Sequence, residues 1–261
     1  MPAWSHRSTR IAAALALLAL VAVVVVLARR TVADPDALWR IVHEDCVPAQ
    51  EHTHQPGQCR RVDLAGRYVV LKDRRGRTQF LLLPTDRISG IESATLLSAS
   101  SPNYWQAAWQ AGEYVRQQIG QQLPRDLIGL AINSVRARSQ NQLHIHIDCV
   151  QPQLHEALAA AEAQTSPHWS AQPLWLAAHS YYVLKLPGAD LNADPFQLLA
   201  QRLSDPATQM GDQLLAVIGA RFSDGTPGFY ILDSPAGQHG ATSESVLDHD
   251  CALARRQVPA S

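Results

Sequence analysis

The run Gln142-Leu143-His144-Ile145-His146-Ile147-Asp148-Cys149 alternates polar and apolar residues without a break. A period of two marks a β-strand with one buried face. Leu143, Ile145 and Ile147 share the apolar face. Gln142, His144, His146 and Asp148 share the other, which is expected to meet solvent. Same-face neighbours on a strand stand about 7 Å apart, so two imidazoles are held side by side on a rigid element. Near neutral pH an imidazole can act as nucleophile, general base or metal ligand.

Three chemistries fit the pair. The blandest is two histidines on a solvated strand face, in a chain with eleven of them. The second is a metal-dependent phosphoesterase built on His144, His146 and Asp148. His-Ile-His-Ile-Asp resembles the H-x-H-x-D element of metallo-β-lactamase-like hydrolases. That element sits in a loop and continues with a histidine, whereas Cys149 follows here and β-branched residues favour a continuous strand. The third is a histidine nucleophile attacking phosphorus, with its neighbour and nearby donors holding the phosphate oxygens.

The surrounding elements must place these groups. Asp34-Pro35 fits the N-cap and first position of a helix running to about Cys46. Tyr68–Lys72 reads as a strand, Asp73–Gly76 as a turn, and Gln79–Pro84 as the hairpin partner. Ser101-Pro102 opens a helix through Trp105, Trp109 and Ile119 that ends at Gly120, with both tryptophans expected in the core. Leu127–Asn133 is a mostly apolar strand, and Ser134–Asn141 a polar turn into the histidine strand. Pro152 opens a helix to about Gln164. The second half repeats this order weakly. Tyr181–Lys185 echoes Tyr68–Lys72, while Leu214–Ile218 and Phe229–Asp233 echo the Leu127 and His144 strands. Phe229–Asp233 carries no histidine. An internal duplication with a chemically silent second copy is one reading, and the general look of antiparallel α+β domains is the other.

The 261 residues suffice for one large domain or two half-size units. Residues 1–30 hold four arginines and no acid, leaving 18 basic against 23 acidic residues in the rest. That balance argues against a nucleic-acid partner. Ile11–Ala28 is an unbroken apolar or small run of 18 residues with arginines on both sides. A helix of that length spans about 27 Å, enough for a bilayer core. An uncleaved anchor is the expectation, and a signal peptide cut after Thr31-Val32-Ala33 competes with it. The four cysteines form an even set behind a secretion-competent segment, which fits an oxidising compartment. Cys46 and Cys59 bracket a short polar stretch that a disulfide could hold. No glycine-rich phosphate loop of the Walker or Rossmann kind is present.

The segments LWRIVHEDCVP, YVVLKD, FLLLPTDRISGIES, SPNYWQAAWQA, LAINS and SQNQLHIHIDCVQP resemble the bacterial CDP-diacylglycerol pyrophosphatases. The likeness is dense from about residue 36 to 165 and thins afterwards, though Cys251 fits. That family is similar to the histidine-triad nucleotide hydrolases and transferases, with signature His-φ-His-φ-His-φ-φ. On this chain the three positions fall on Gln142, His144 and His146. The resemblance implies His144 as nucleophile and His146 as phosphate contact, with Gln142 replacing the first histidine. It places Asn133 and Ser139 where polar contacts to phosphate or nucleophile belong. Gln140, Asn141, Gln142 and Lys72 are further candidate donors, and Arg136 and Arg138 could meet the pyrophosphate.

The fold expected is α+β, a histidine-triad-like antiparallel sheet with helices, preceded by one transmembrane helix. Residues 1–30 would be the anchor, 31–165 the catalytic half and 166–261 the silent half. The disulfides expected are Cys46–Cys59 and Cys149–Cys251. The implied reaction is cleavage of CDP-diacylglycerol, a nucleotide-lipid in the membrane, to CMP and phosphatidate through a nucleotidyl-His144, with no cofactor and no metal required. The alternatives are the metal-dependent phosphoesterase and a non-catalytic membrane-anchored protein that only binds a nucleotide or lipid headgroup. The implied location is the bacterial inner membrane, with the domain in the periplasm.

Overall fold

A computed structural model of the protein describes residues 34–256. Its framework is an antiparallel sheet in the order β1-β2-β3-β5-β4-β8-β9-β7-β6. The strands of the first half are β1 (Arg61–Asp63), β2 (Tyr68–Lys72), β3 (Phe80–Pro84), β4 (Ile128–Ile132) and β5 (Ile145–Val150). Those of the second are β6 (Leu174–Leu176), β7 (His179–Pro187), β8 (Gln213–Arg221) and β9 (Pro227–Pro235). A last short strand, β10 (Leu247–Asp248), pairs with β5 at Val150 and Cys149. β4 pairs with β8, Leu130 opposite Val217, so one sheet crosses the boundary between the halves.

The helices in order are α1 (Ala37–Arg40), α2 (Val47–Thr53), α3 (Tyr104–Ile119), α4 (Pro152–Ala160), α5 (Pro195–Arg202), α6 (Pro206–Gln209), α7 (Ser243–Val246) and α8 (Ala252–Arg256). One sheet face is fully covered. Ile145, Ile147, Leu130, Ile128, Val217 and Ile231 point there and pack against Trp105, Ala108 and Val115 of α3 and Phe196 and Leu199 of α5. Asn103 caps α3 by accepting from Gln106 N at 3.0 Å. Gly120 ends it in the left-handed conformation that glycine adopts without penalty.

The opposite face is covered in two separate patches. Over β2 and β3, Val42 and Cys46 pack on Val69, Leu71, Leu81 and Leu83. Over β4, β8 and β9, Leu154 and Leu158 of α4 join Ala131, Ala216, Ile218 and Leu232. β5 runs between the patches, and its polar side chains line the gap.

Several expectations need correction. The first helix begins at Ala37, with Asp36 rather than Asp34 at its N-cap. It does not stop at Cys46. A π-type turn, Ile41–Cys46, carries it into α2, and left-handed His54 ends it. The echo of Tyr68–Lys72 in Tyr181–Lys185 is off by one strand. Read outward from the β4–β8 seam, the orders are β4-β5-β3-β2 and β8-β9-β7-β6, so β7 stands where β3 stands. Both expected disulfides form, Cys46 with Cys59 and Cys149 with Cys251. Among the described residues no helix is long and apolar enough to cross a membrane, and the expected anchor lies outside them.

Candidate active site

The apolar side of β5 fixes where its histidines go. Ile145 and Ile147 are fully buried under α3. The pleat therefore turns His144, His146 and Asp148 to the other face. That face is not open to solvent as expected. His144 and His146 are each only 8% exposed and Asp148 is fully buried, because the patches on either side rise above them. His146 lies opposite Leu81 on one neighbouring strand and the small Ala131 on the other.

The two rings are 4.9 Å apart between centroids and inclined at 65°. Nδ1 of His144 lies 2.7 Å from the Gln142 carbonyl oxygen. A carbonyl can only accept, so Nδ1 carries the proton and Nε2 is left with its lone pair. Nδ1 of His146 meets the side-chain amide nitrogen of Gln79. That nitrogen also lies 3.1 Å from Asp73 Oδ2, and the carboxylate fixes it as the NH₂ end. Gln79 therefore donates to His146 Nδ1, and the His146 proton sits on Nε2. This N–H is buried and has no partner among the described residues. Gln79 Oε1 and Gln142 Oε1 are likewise buried without partners. Orphaned polar atoms cost free energy unless something binds there.

Burial holds both imidazoles below their ordinary proton affinity, His146 far below, and both rings are neutral at neutral pH. Arg138 further lowers His144, and Arg75 further lowers His146. Arg138 is held by Glu92 at 2.6 Å, whereas Arg75 is exposed on the β2–β3 turn.

The remaining residues predicted from sequence divide sharply. Gln142 meets His144 Nδ1 through its backbone carbonyl, so that contact needs no particular side chain at position 142. Its side chain donates instead to the carbonyls of Pro84 and Asp86, at 3.0 and 2.9 Å. Asn133 borders the same small cleft as His144 and Arg138, but its amide bonds Ser243, at 2.8 Å to Oγ and 2.9 Å from N. Gln140 Oε1 accepts from Leu38 N at 3.0 Å. Ser139 and Asn141 are exposed on the turn before β5. Lys72 is not brought to the imidazoles. It lies on the α3 face across from Phe80, and its ammonium bonds the carbonyls of Asp73 and Gly76. Arg136 pairs with exposed Asp212 at 2.9 Å.

Asp148 shares the imidazole face but bonds neither ring. Thr78 Oγ1 donates to its Oδ1 at 2.6 Å, and His249 Nδ1 meets its Oδ2 at 2.8 Å. Among the described residues the clustered potential metal ligands are Asp148, Cys149 and Cys251. Both sulfurs of that group are used in a disulfide. Sequence reasoning missed Gln79, Asp73, Thr78 and His249. The one available signal was Thr78-Gln79, two polar residues at the mouth of an otherwise apolar strand.

A sheet with two buried neutral imidazoles, one offering a lone pair and its neighbour an N–H, is equipped for nucleophilic attack on a phosphorus centre. The profile of the CDP-diacylglycerol pyrophosphatases matches residues 33–255, and the chain belongs to that family. It is accordingly an enzyme, a hydrolase acting on a phosphoric anhydride. A relative from Yersinia pestis named CDP-diacylglycerol pyrophosphatase is 40% identical over 220 residues, covering 83% of this chain and 84% of the relative.

Proposed function

We propose that the chain hydrolyses CDP-diacylglycerol to CMP and phosphatidate through a nucleotidyl-histidine on His144. The observation carrying this reading is that the two Nδ1 atoms meet opposite partners, a backbone carbonyl at His144 and an amide NH₂ at His146. Nε2 of His144 attacks the phosphorus bearing cytidine, and the bond from that phosphorus to the phosphatidate oxygen breaks. Phosphatidate leaves as a stable anion and needs little acid help. The proton of His144 stays on Nδ1 and is donated to the Gln142 carbonyl, which stabilises the charge that develops on the ring. The Nε2–H of His146 donates to a phosphate oxygen, and Arg75 and Arg138 supply the positive field. Water then attacks the same phosphorus and the P–N bond breaks. CMP departs, and the water proton passes to His144 Nε2 or to solvent. Two easier steps replace one hard one.

The mirrored strand order supports a histidine-triad-like duplication whose second copy is silent. There β9 presents Tyr230 and Leu232 to the patch under α4, filling the space that His144 and His146 keep polar. The apolar run Ile11–Ala28 and the two disulfides support an inner-membrane anchor with the domain in the periplasm. The substrate would then be met as a nucleotide-lipid in the membrane.

The deciding experiment is mass spectrometry of protein quenched during turnover, with CMP found on the peptide containing His144. Chelation separates this route from a metal-dependent one. Activity that EDTA removes and zinc or manganese restores would belong to the second.

A further inference from the structure

The carboxyl-terminal segment reaches the site without touching the reacting rings. His249 lies between two carboxylates, with Nδ1 2.8 Å from Asp148 Oδ2 and Nε2 3.0 Å from Glu244 Oε2. Each carboxylate accepts, so both ring nitrogens donate. The His249 carbonyl accepts from Arg77 N at 3.2 Å and lies 3.0 Å from Thr78 Oγ1, whose single proton goes to the nearer Asp148 Oδ1. Gly76 lies directly on this residue. Its φ is +68°, and a Cβ there would come within 2.7 Å of the His249 Cβ. Three consecutive residues of the β2–β3 turn, Gly76, Arg77 and Thr78, therefore rest on His249 or its partner Asp148. The next residue is Gln79, which sets the protonation of His146. The clamp is itself tied down, since β10 pairs with β5 and Cys251 is bonded to Cys149.

We infer that His249 and Asp148 are positioning residues, which hold the Gly76–Gln79 run so that the Gln79 amide keeps the His146 N–H aimed at the substrate phosphate. The inference rests on the donor role proposed for His146. Its physical basis is that a donor works only when its own support is locked, and a shift of about 1 Å is costly. Gln79 sits at the end of the turn, so the position of its amide depends on what holds the turn. The disulfide acts in the same chain of contacts, by keeping His249 against the turn.

The test uses the full-length protein in detergent with CDP-diacylglycerol. Thr78→Val removes the hydroxyl at nearly constant shape, Thr78→Ser keeps it, and His249→Gln removes one of the two ring donors. Each is measured alone and in a His146→Ala background. Thr78→Val and His249→Gln should each lower kcat on the order of tenfold, the scale of losing an outer-shell partner of a working histidine. KM should change little, and Thr78→Ser should recover most of the rate. In the His146→Ala background neither change should cost anything further, because the group they position is gone. Losses that multiply in that background would overturn the inference, as would a full rate in Thr78→Val. Nitrogen NMR of the imidazoles gives a second readout. His146 should be protonated on Nε2 in the native protein and become a mixture in Thr78→Val, and an unchanged spectrum would count against the proposal. If His146→Ala alone is fully active, the donor role fails and the positioning role falls with it. If His146→Ala is impaired but the losses multiply, only the positioning role fails.

Discussion

His144, directly before β5, and His146 within it stand two residues apart, yet their Nδ1 atoms meet partners of opposite kind. A backbone carbonyl faces the first and a side-chain amide NH₂ the second. Identical residues in near-identical burial are thereby given opposite tautomers, which the proposed mechanism divides between a nucleophile and a donor. The division of labour depends on Gln79, which no reaction step consumes. Gln79→Met keeps the length of the side chain and removes the NH₂. It should lower kcat by up to the roughly 10²–10³ expected for His146→Ala, the scale of losing one transition-state donor. Steady-state kinetics of the two variants and their combination checks this. The combination should be no worse than His146→Ala alone.

His144→Ala should abolish turnover, because no other described side chain offers an imidazole lone pair at that position. The fold should survive. His144 lies in the gap between the two apolar patches, so truncation does not open a packed core. Circular dichroism and the thermal midpoint report the fold, and product formation reports the chemistry. Near-native activity in a folded His144→Ala protein would falsify the nucleophile assignment.

The histidine strand was legible because period-two alternation is enforced by the pleat alone, and Ile145 and Ile147 do lie under α3. The bounds of β2 and the end of α3 at Gly120 followed from apolar runs and turn residues. β3 and β4 are each slightly shorter than expected, and α3 starts at Tyr104 with Asn103, not Ser101, as its cap. Two things were not legible. The polar face of β5 looks solvent-exposed in a one-dimensional pattern, and only the patches led by Val42 and Leu154 bury it. The roles of Gln79 and His249 depend on contacts across 67 and 101 positions of chain. Local periodicity carries no information at that range. Lys72 failed for a simpler reason. It is the fifth residue of a strand whose odd positions belong to the α3 face, and parity turned it away from the imidazoles.

The pH dependence should be asymmetric. Burial lowers His144 below its ordinary 6.5, and lowers His146 further still. The acid limb of kcat/KM should therefore fall below 6.5, as an apparent value of the coupled pair. Stability should follow the same sign. As pH drops below 6.5 the unfolded chain takes up protons that the folded imidazoles refuse, so the folded state loses ground. His249 works the other way. Hydrogen bonding to Asp148 raises its proton affinity above the ordinary 6.5. Its contribution is complete below 6.5 and is lost as pH rises through the raised value. Denaturant midpoints across the pH range should fall at both ends, and His249→Gln should flatten the alkaline side alone.

The Cys149–Cys251 bond spans 102 positions and ties the clamp to the catalytic strand. In the chain-entropy account, closing a loop of that length stabilises by about 3–5 kcal/mol. Replacing both cysteines by serine should cost stability on that scale and reduce kcat as well, since His249 would no longer be held. Replacing Cys46 and Cys59 should cost less, with a loop of 13 positions, and should leave kcat nearly untouched. Denaturation curves paired with kinetics separate the two. Peptide mapping without reductant, on protein from its native host, should find both bonds; four free thiols there would also undercut the periplasmic location.

The amino-terminal segment should matter most when substrate is in a bilayer. CDP-diacylglycerol keeps its acyl chains in the membrane and offers only its headgroup to water. The first helix begins at Ala37, a few residues beyond Arg30, so an uncleaved anchor leaves little slack. A short tether raises the effective concentration of headgroups at the site, as linkage does for paired binding modules. Removing residues 1–33 should therefore give a protein that still cleaves substrate dispersed in detergent but works poorly on vesicles. The comparison is turnover of one substrate in micelles and in vesicles, for full-length and shortened chains. Equal vesicle rates would strip the segment of any role in catalysis at the membrane. Native protein recovered with Asp34 as its first residue would identify the segment as a signal peptide.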